Sequence, residues 1–332
     1  MNDLKDAIRQ YALQLGADLV GFSGIDRFDA NHPRQHPASI YPDARTVIGL
    51  GFRVLRGSFR GIEEGSTFYQ YYTTGVETLE EVVMPEKLLA LAGLIEDFGY
   101  EAVIQKRIQT VMPGRDQTNP ETEDSKITKG VEQELQLDFT EAAICTGLGE
   151  VGLSGAVLSD DFGPFQRFAF ILTNAELEPD PVVIPHLCDR CGLCLLACPG
   201  QAFAETPVER VYGGQASQVH PLDSWQCAVY YKGGNRSTNP FMPADALDDV
   251  PNREEILTGT RKLSAREAQA ILPRLGFYPP GRHGLTASIC GRACDRACYA
   301  HLEEKGLLKR RFSEPFRKHA PWRIETEGEA RR

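Results

Sequence analysis

Cysteine spacing constrains this chain more than any other feature. Residues 188–200 read CDRCGLCLLACPG, with thiols at Cys188, Cys191, Cys194 and Cys198 and a proline directly after the last. Three cysteines at every third position wrap one corner of an iron–sulfur cube, and the fourth in such a run reaches over to a second cluster. A chain built round this motif must bring further cysteines in from elsewhere. The sequence offers Cys227, then Cys290, Cys294 and Cys298. Together these eight thiolates suffice for two [4Fe-4S] clusters. Chain crossing groups Cys298 with Cys188, Cys191 and Cys194, and Cys198 with Cys227, Cys290 and Cys294. Zinc is the competing metal, but structural zinc favours paired C-x2-C units that each give two ligands to a tetrahedron. The ninth cysteine, Cys145, reads as a small buried apolar residue.

The bulk numbers describe a globular chain of one large or two ordinary domains. It has 332 residues, 42% hydrophobic and 25% charged, within the range of globular proteins. A net charge of −10 argues against non-specific nucleic-acid binding. The exception is KRRFSEPFRKHAPWR near the end, a basic stretch that reads as a solvated tail packing through Phe312, Phe316 and Trp322. No apolar run approaches the ~18 residues of a membrane span. The start, MNDLKDAIRQYALQLGADLVGF, is a mixed-charge amphipathic helix and not an export signal. The expectation is a cytoplasmic protein without a membrane partner. Reduced thiols in that compartment favour metal over disulfides.

Periodicity divides the chain. Residues 2–15 read as a helix, 18–26 and 46–55 as strands, 66–98 as helix, 100–106 as a strand, about 131–146 as a helix and 167–174 as a strand. The polar stretch 113–130 reads as a long loop, an active-site cover. The acidic, Pro-containing ELEPDPVV (176–183) marks a boundary. The expected domains are 1–180 for cofactor and substrate, 181–306 for the clusters and 307–332 as the basic tail. The second half shows little periodicity, so metal bonds are expected to replace apolar core there.

Clusters carry electrons, so another group should perform the chemistry. The order of segments points to one. GLGEVGLSGAVLSDDFGPFQRFAFILTNAELEPD (147–180) precedes the first cysteine motif, and LDSWQC (222–227) and the last cysteine group follow it. This arrangement resembles epoxyqueuosine reductases and reductive dehalogenases. The resemblance implies an α+β fold, with a nitroreductase-like α/β core followed by a bacterial ferredoxin-like double [4Fe-4S] module. It also implies a corrinoid (cobalamin) beside the two clusters. Gly147, Gly149, Gly152 and Gly155 match the turn that lies along the corrinoid in that group, and Arg167 the turn after it. Glycine suits a flat macrocycle approaching the backbone, because no Cβ intervenes. Tyr72 and Gly75 resemble a Tyr-x-x-Gly of the queuosine enzymes. The dehalogenase Gly-Arg-Asn-Gly step is here Gly152-Leu153-Ser154-Gly155, so its arginine is missing. No counterpart of the helical repeats that help some queuosine enzymes hold tRNA is expected from these 332 residues.

Reduction needs a proton donor near the substrate. Tyr72 and Asp138 are the chosen candidates, with Tyr69, Tyr71 and Glu141 beside them, and Arg167 could grip an acidic group. His186 and His283 read as turn residues, although His186 could tune a cluster by hydrogen bonding. The expected activity is a reductase that passes electrons from an external donor, such as ferredoxin or flavodoxin, through both clusters to a corrinoid. That corrinoid would reduce a small organic substrate. Epoxyqueuosine reduction on tRNA is the alternative, disfavoured by the acidic chain. Electron transfer without a corrinoid is the third reading.

Overall fold

The structure, a computed structural model, describes residues 2–28, 35–106, 135, 137–277 and 287–324. Its N-terminal half is a four-stranded sheet covered on both faces. The strands are β1 (Leu19–Gly24), β2 (Thr46–Arg53), β3 (Ala102–Gln105) and β6 (Gln166–Thr173). Their order is β1-β2-β6-β3, and every pairing is antiparallel. A two-residue ladder, β4 (Glu150–Val151) with β5 (Val157–Leu158), precedes β6.

Strand alternation sends successive side chains to opposite faces. Ile48, Leu50, Ala169 and Ile171 pack against Leu4 and Ile8 of the first helix (Asn2–Gln14) and Leu88, Leu91 and Ile95 of the helix Met84–Asp97. Val47, Phe170 and Leu172 face the other way, onto Ala142, Ala143 and Leu148 around the helix Phe139–Cys145. That helix end lies very close to the sheet. A Cβ on Gly21 would sit 1.9 Å from the carbonyl oxygen of Thr146, and one on Gly49 would sit 2.4 Å from its hydroxyl. These two strand glycines let the segment after Cys145 reach its place.

The region read as one helix over 66–98 is composite. A turn at Gln70–Tyr72 passes into a π-helical stretch, Thr73–Val83, and then into Met84–Asp97. Pro85 lacks an N–H, so the hydrogen-bond ladder is interrupted where the last of these begins. The helix expected from about 131 is described only as Phe139–Cys145, and the loop 113–130 lies outside the described residues.

The second half carries more apolar core than its sequence suggests. Val229, Tyr230, Leu247, Ile256, Leu257 and Ile271 form a buried cluster. All but Leu247, which lies in a turn, come from helices of six to eight residues, too short to display a period. A hairpin, β7 (Val208–Tyr212) with β8 (Gln215–Val219), also went unread. Both halves share an aromatic joint. Tyr71, Phe59, Phe165 and Tyr299 stack in sequence with centroids 4.7, 4.2 and 4.2 Å apart. In the basic tail, Phe316 is fully buried against this joint, while Phe312 stays half exposed. Among the described residues no helix is long and apolar enough to cross a membrane.

Candidate functional site: two cysteine sets and a cavity

The eight cysteines fall into two groups of four. Cys188, Cys191, Cys194 and Cys298 line one small cavity. Cys198, Cys227, Cys290 and Cys294 line another, of about 460 Å³. Local structure explains the placement. Gly192, at φ 77°, makes the left-handed turn that starts the short helix Leu193–Leu196 between Cys191 and Cys198. Asp223 caps the helix Ser224–Tyr231 that carries Cys227, accepting from Gln226 N at 2.9 Å. The buried Gln226 amide then donates to Gly200 O and to Arg261 O, both at 2.8 Å, which ties that helix to the first motif. The last helix, Ala293–Glu304, gives Cys294 to one set and Cys298 to the other. One turn of helix therefore joins the two sets.

Backbone N–H groups donate to the sulfurs. Leu153 N reaches Cys188 Sγ at 3.3 Å, Ala202 N reaches Cys198 Sγ at 3.3 Å and Ala293 N reaches Cys290 Sγ at 3.5 Å. Burial pushes the Cys194 thiol up to about 11 and the Cys227 thiol up to about 12, and the neighbouring cysteines add to both shifts. Thiols crowded this way ionise readily only for a metal. At the rim of the first set, His301 Nε2 and Asp189 Oδ2 are 2.8 Å apart beside the exposed Cys191.

The larger cavity lies between the sheet half and the second cysteine set. Asp138 stands on its wall. Its carboxylate also caps the helix Phe139–Cys145, accepting from Thr140 N at 2.9 Å and Glu141 N at 3.1 Å. Arg167 lines the same cavity but is already engaged by protein. It donates to Tyr71 Oη, and its Nε lies 3.0 Å from Glu80 Oε1. That contact has the distance of an ion pair without hydrogen-bond geometry, so the buried Nε–H lacks an acceptor.

Several sequence expectations change here. Of the four glycines, Gly155 alone lines the large cavity, and a Cβ there would point into open space. A Cβ on Gly147 would meet Pro181 O at 2.5 Å, and one on Gly149 would meet Leu158 O at 2.3 Å. Close approach of this chain's own backbone explains those two, with no flat ligand required. Gly152 lines the small cavity of the first cysteine set. Tyr72 is half-buried against the aromatic joint and is absent from the cavity wall. Its neighbour Tyr71 is the fully buried one, its phenol pushed up by desolvation. His186 turns its ring to Asp160 at 3.0 Å and to Ile184 O at 3.0 Å, away from a sulfur. Ile184 O is the first cause of its raised pKa. His283 lies outside the described residues.

The sequence reading missed Tyr231, Arg292 and Asp295, all on the cavity wall. Burial pushes the Tyr231 phenol far up, and the nearby Tyr71 adds to it. Arg292 Nε donates to Asp295 Oδ2 at 2.8 Å. A signal for these two was present, since GRACDRAC places charged residues between metal-type cysteines.

No protein-family model matches the chain. Among curated proteins it is 26% identical over 232 residues to the epoxyqueuosine reductase of Synechocystis sp., covering 70% of this chain and 65% of that one. The epoxyqueuosine reductase of Staphylococcus aureus is 25% identical over 281 residues, covering 75% and 61%. The tetrachloroethene reductive dehalogenase of Dehalobacter restrictus is 32% identical over 100 residues, covering 27% and 18%. The chain thus spans less than two thirds of the length of each. Among solved structures, the epoxyqueuosine reductase of Streptococcus thermophilus gives a TM-score of 0.47 at 17% identity, covering 89% of this chain and 79% of that one. A catabolic reductive dehalogenase gives 0.49 at 14%, covering 85% and 37%.

Proposed function

As a relative of epoxyqueuosine reductases and reductive dehalogenases, the protein is, we propose, an iron–sulfur reductase with its reaction chamber in the 460 Å³ cavity. One observation carries this reading. The second set of four cysteines forms part of the wall of that cavity. A redox centre on those thiolates would border whatever binds inside.

The donor chemistry of each set suits a [4Fe-4S] cluster. Four thiols converge on one cavity, with backbone N–H groups donating to sulfur, and such bonds help set a cluster's potential. The first set would hold the outer cluster and the second the inner one. Both clusters would belong to a ferredoxin-like module that follows a nitroreductase-like core. The core would be residues 1–180 and the module 181–306, with 307–332 as a tail.

A corrinoid in the cavity would supply low-potential cobalt chemistry. The open side of Gly155 leaves room for a large ring system there. Gly147, Gly149 and Gly152 would only shape the turn. Arg167 would hold an acidic or carbonyl group, with Tyr71 and Glu80 fixing the guanidinium plane. Tyr231 keeps its proton because burial disfavours the phenolate, so it can present an O–H to the chamber. Asp138 is an acidic candidate on the same chamber wall. Tyr72 would pack against the aromatic joint, off the chamber wall.

Anaerobic reconstitution with iron and sulfide, then with hydroxocobalamin, tests the reading. About eight irons and one retained cobalt per chain are expected. Eight irons without cobalt would remove the corrinoid and leave an electron-transfer protein. The substrate is read as a small organic molecule. A second reading, epoxyqueuosine reduction on tRNA, is favoured by the longer matches to epoxyqueuosine reductases. Turnover of an epoxyqueuosine-bearing anticodon stem-loop would decide for it.

A further inference from the structure

The two cysteine sets differ in the charges packed around them. Beside the first set lies Glu150, a buried acid at 2% exposure. Its oxygens accept from the backbone N–H of His186, from Leu187 N at 2.9 Å and from Cys188 N at 2.8 Å. A carboxylate thus sits directly beneath the first ligand of that set. Asp189, the next residue, is turned to His301.

Beside the second set lies Arg296, at 7% exposure. Its Nη2 donates to Cys290 O and its Nε to Gly291 O, both at 2.9 Å. Its Nη1 pairs with Glu63, which Arg317 also contacts at 2.9 Å. Two guanidiniums share one carboxylate, so this triad carries a net positive charge. Arg292 is also close, but Asp295 pairs with it and that pair cancels.

A reduced cluster carries one more negative charge than an oxidised one. A buried cation therefore favours reduction and a buried anion opposes it. Solvent exposure acts the other way here. Cys191 of the first set is exposed, which helps that cluster accept an electron, whereas no cysteine of the second set is. Without fixed charges the electron would tend to rest on the outer cluster, away from the chamber.

We propose that Glu150 and Arg296 are positioning residues that bias the electron toward the chamber. Glu150 lowers the potential of the cluster held by the Cys188 set, and Arg296 raises that of the cluster held by the Cys198 set. In the exchange, one electron leaves the first cluster, which is oxidised, and enters the second, which is reduced. No bond or proton moves, and an external low-potential one-electron donor refills the first cluster. The inference rests on reading the cysteine sets as cluster ligands.

Redox titration of the reconstituted holoprotein, followed by electron paramagnetic resonance, tests it. Cys191→Ser perturbs the first set and identifies its signal. Glu150→Gln is expected to raise the first potential and leave the second alone. Arg296→Gln is expected to lower the second and leave the first alone, and Arg296→Lys to restore it. Each charge removal should change the exchange constant at least tenfold, or about 59 mV for one electron. A variant that leaves its own cluster unmoved, or shifts both clusters together, overturns the proposal. Iron is counted on the same samples. About eight irons with unmoved potentials would sink the bias alone, whereas wild-type protein that takes up no iron would sink the cluster reading with it.

Discussion

The sheet half and the cysteine half of this molecule are held together by different means. In the sheet half, β2 and β6 bury both faces, and helices cover each side with aliphatic residues that are almost fully enclosed. Its stability follows from apolar area, and its pattern can be read locally. In the cysteine half, three chain segments (188–198, the one around Cys227, and 290–298) converge on two cavities. Polar ties such as Gln226 to Gly200 and Arg261 hold those segments in register. The difference teaches that both halves join segments far apart in sequence, the scaffold through apolar strand faces that can be read locally and the site region through thiols and polar ties that cannot.

Removing iron should separate the two halves most clearly. Chelation is expected to strip hydrogen-exchange protection from 188–231 and 290–304 and to leave β2 and β6 protected. Equal loss in both halves would show that the aromatic joint couples them into one unit. Within the cysteine half, Cys227→Ser should lower iron from about eight to about four per chain, read by iron analysis. Loss of all iron would mean the two sets assemble together.

The joint itself offers the next largest effect. Phe165→Ala removes the ring between Phe59 and Tyr299. It should cost about 3–5 kcal/mol in denaturant unfolding. Leu88→Ala, confined to the sheet half, should cost about 2–5 kcal/mol. It should also leave iron content unchanged, since Leu88 packs far from either cysteine set in the cluster around Ile48 and Ile171. A fall in iron would break the comparison. The smallest stability effect belongs to Asp138→Ala, about 0.5–2 kcal/mol for a lost helix cap. If Asp138 also delivers a proton, the rate of reduction should fall well beyond what that instability explains. Asp138→Asn, which keeps an acceptor for the cap, should then recover stability without recovering rate.

Much of the scaffold was legible. Strands at 18–26, 46–55, 100–106 and 167–174 were read to within a few residues, because alternating apolar runs are local signals. The π-helical stretch was not, since 11 residues make too few turns to distinguish its wider period from that of an α-helix, and a proline marks only its end. In the second half, short helices hid an apolar core that needs long-range contacts to exist.

The sequence by itself determined that eight cysteines divide into two groups of four, because motif spacing limits which thiols can reach a common point. It also carried the resemblance to epoxyqueuosine reductases and reductive dehalogenases, through the order of its segments. Only the tertiary structure decided which side chains face the chamber. It put Tyr231 on the wall and left Tyr72 off it, packed against the aromatic joint, since long-range packing decides which faces of the two helices meet the cavity. It assigned Gly147 and Gly149 to backbone packing, because a glycine's need for space depends on what approaches it. And it set Glu150 under one cysteine set and Arg296 beside the other, where charge acts through space and leaves no trace in local sequence.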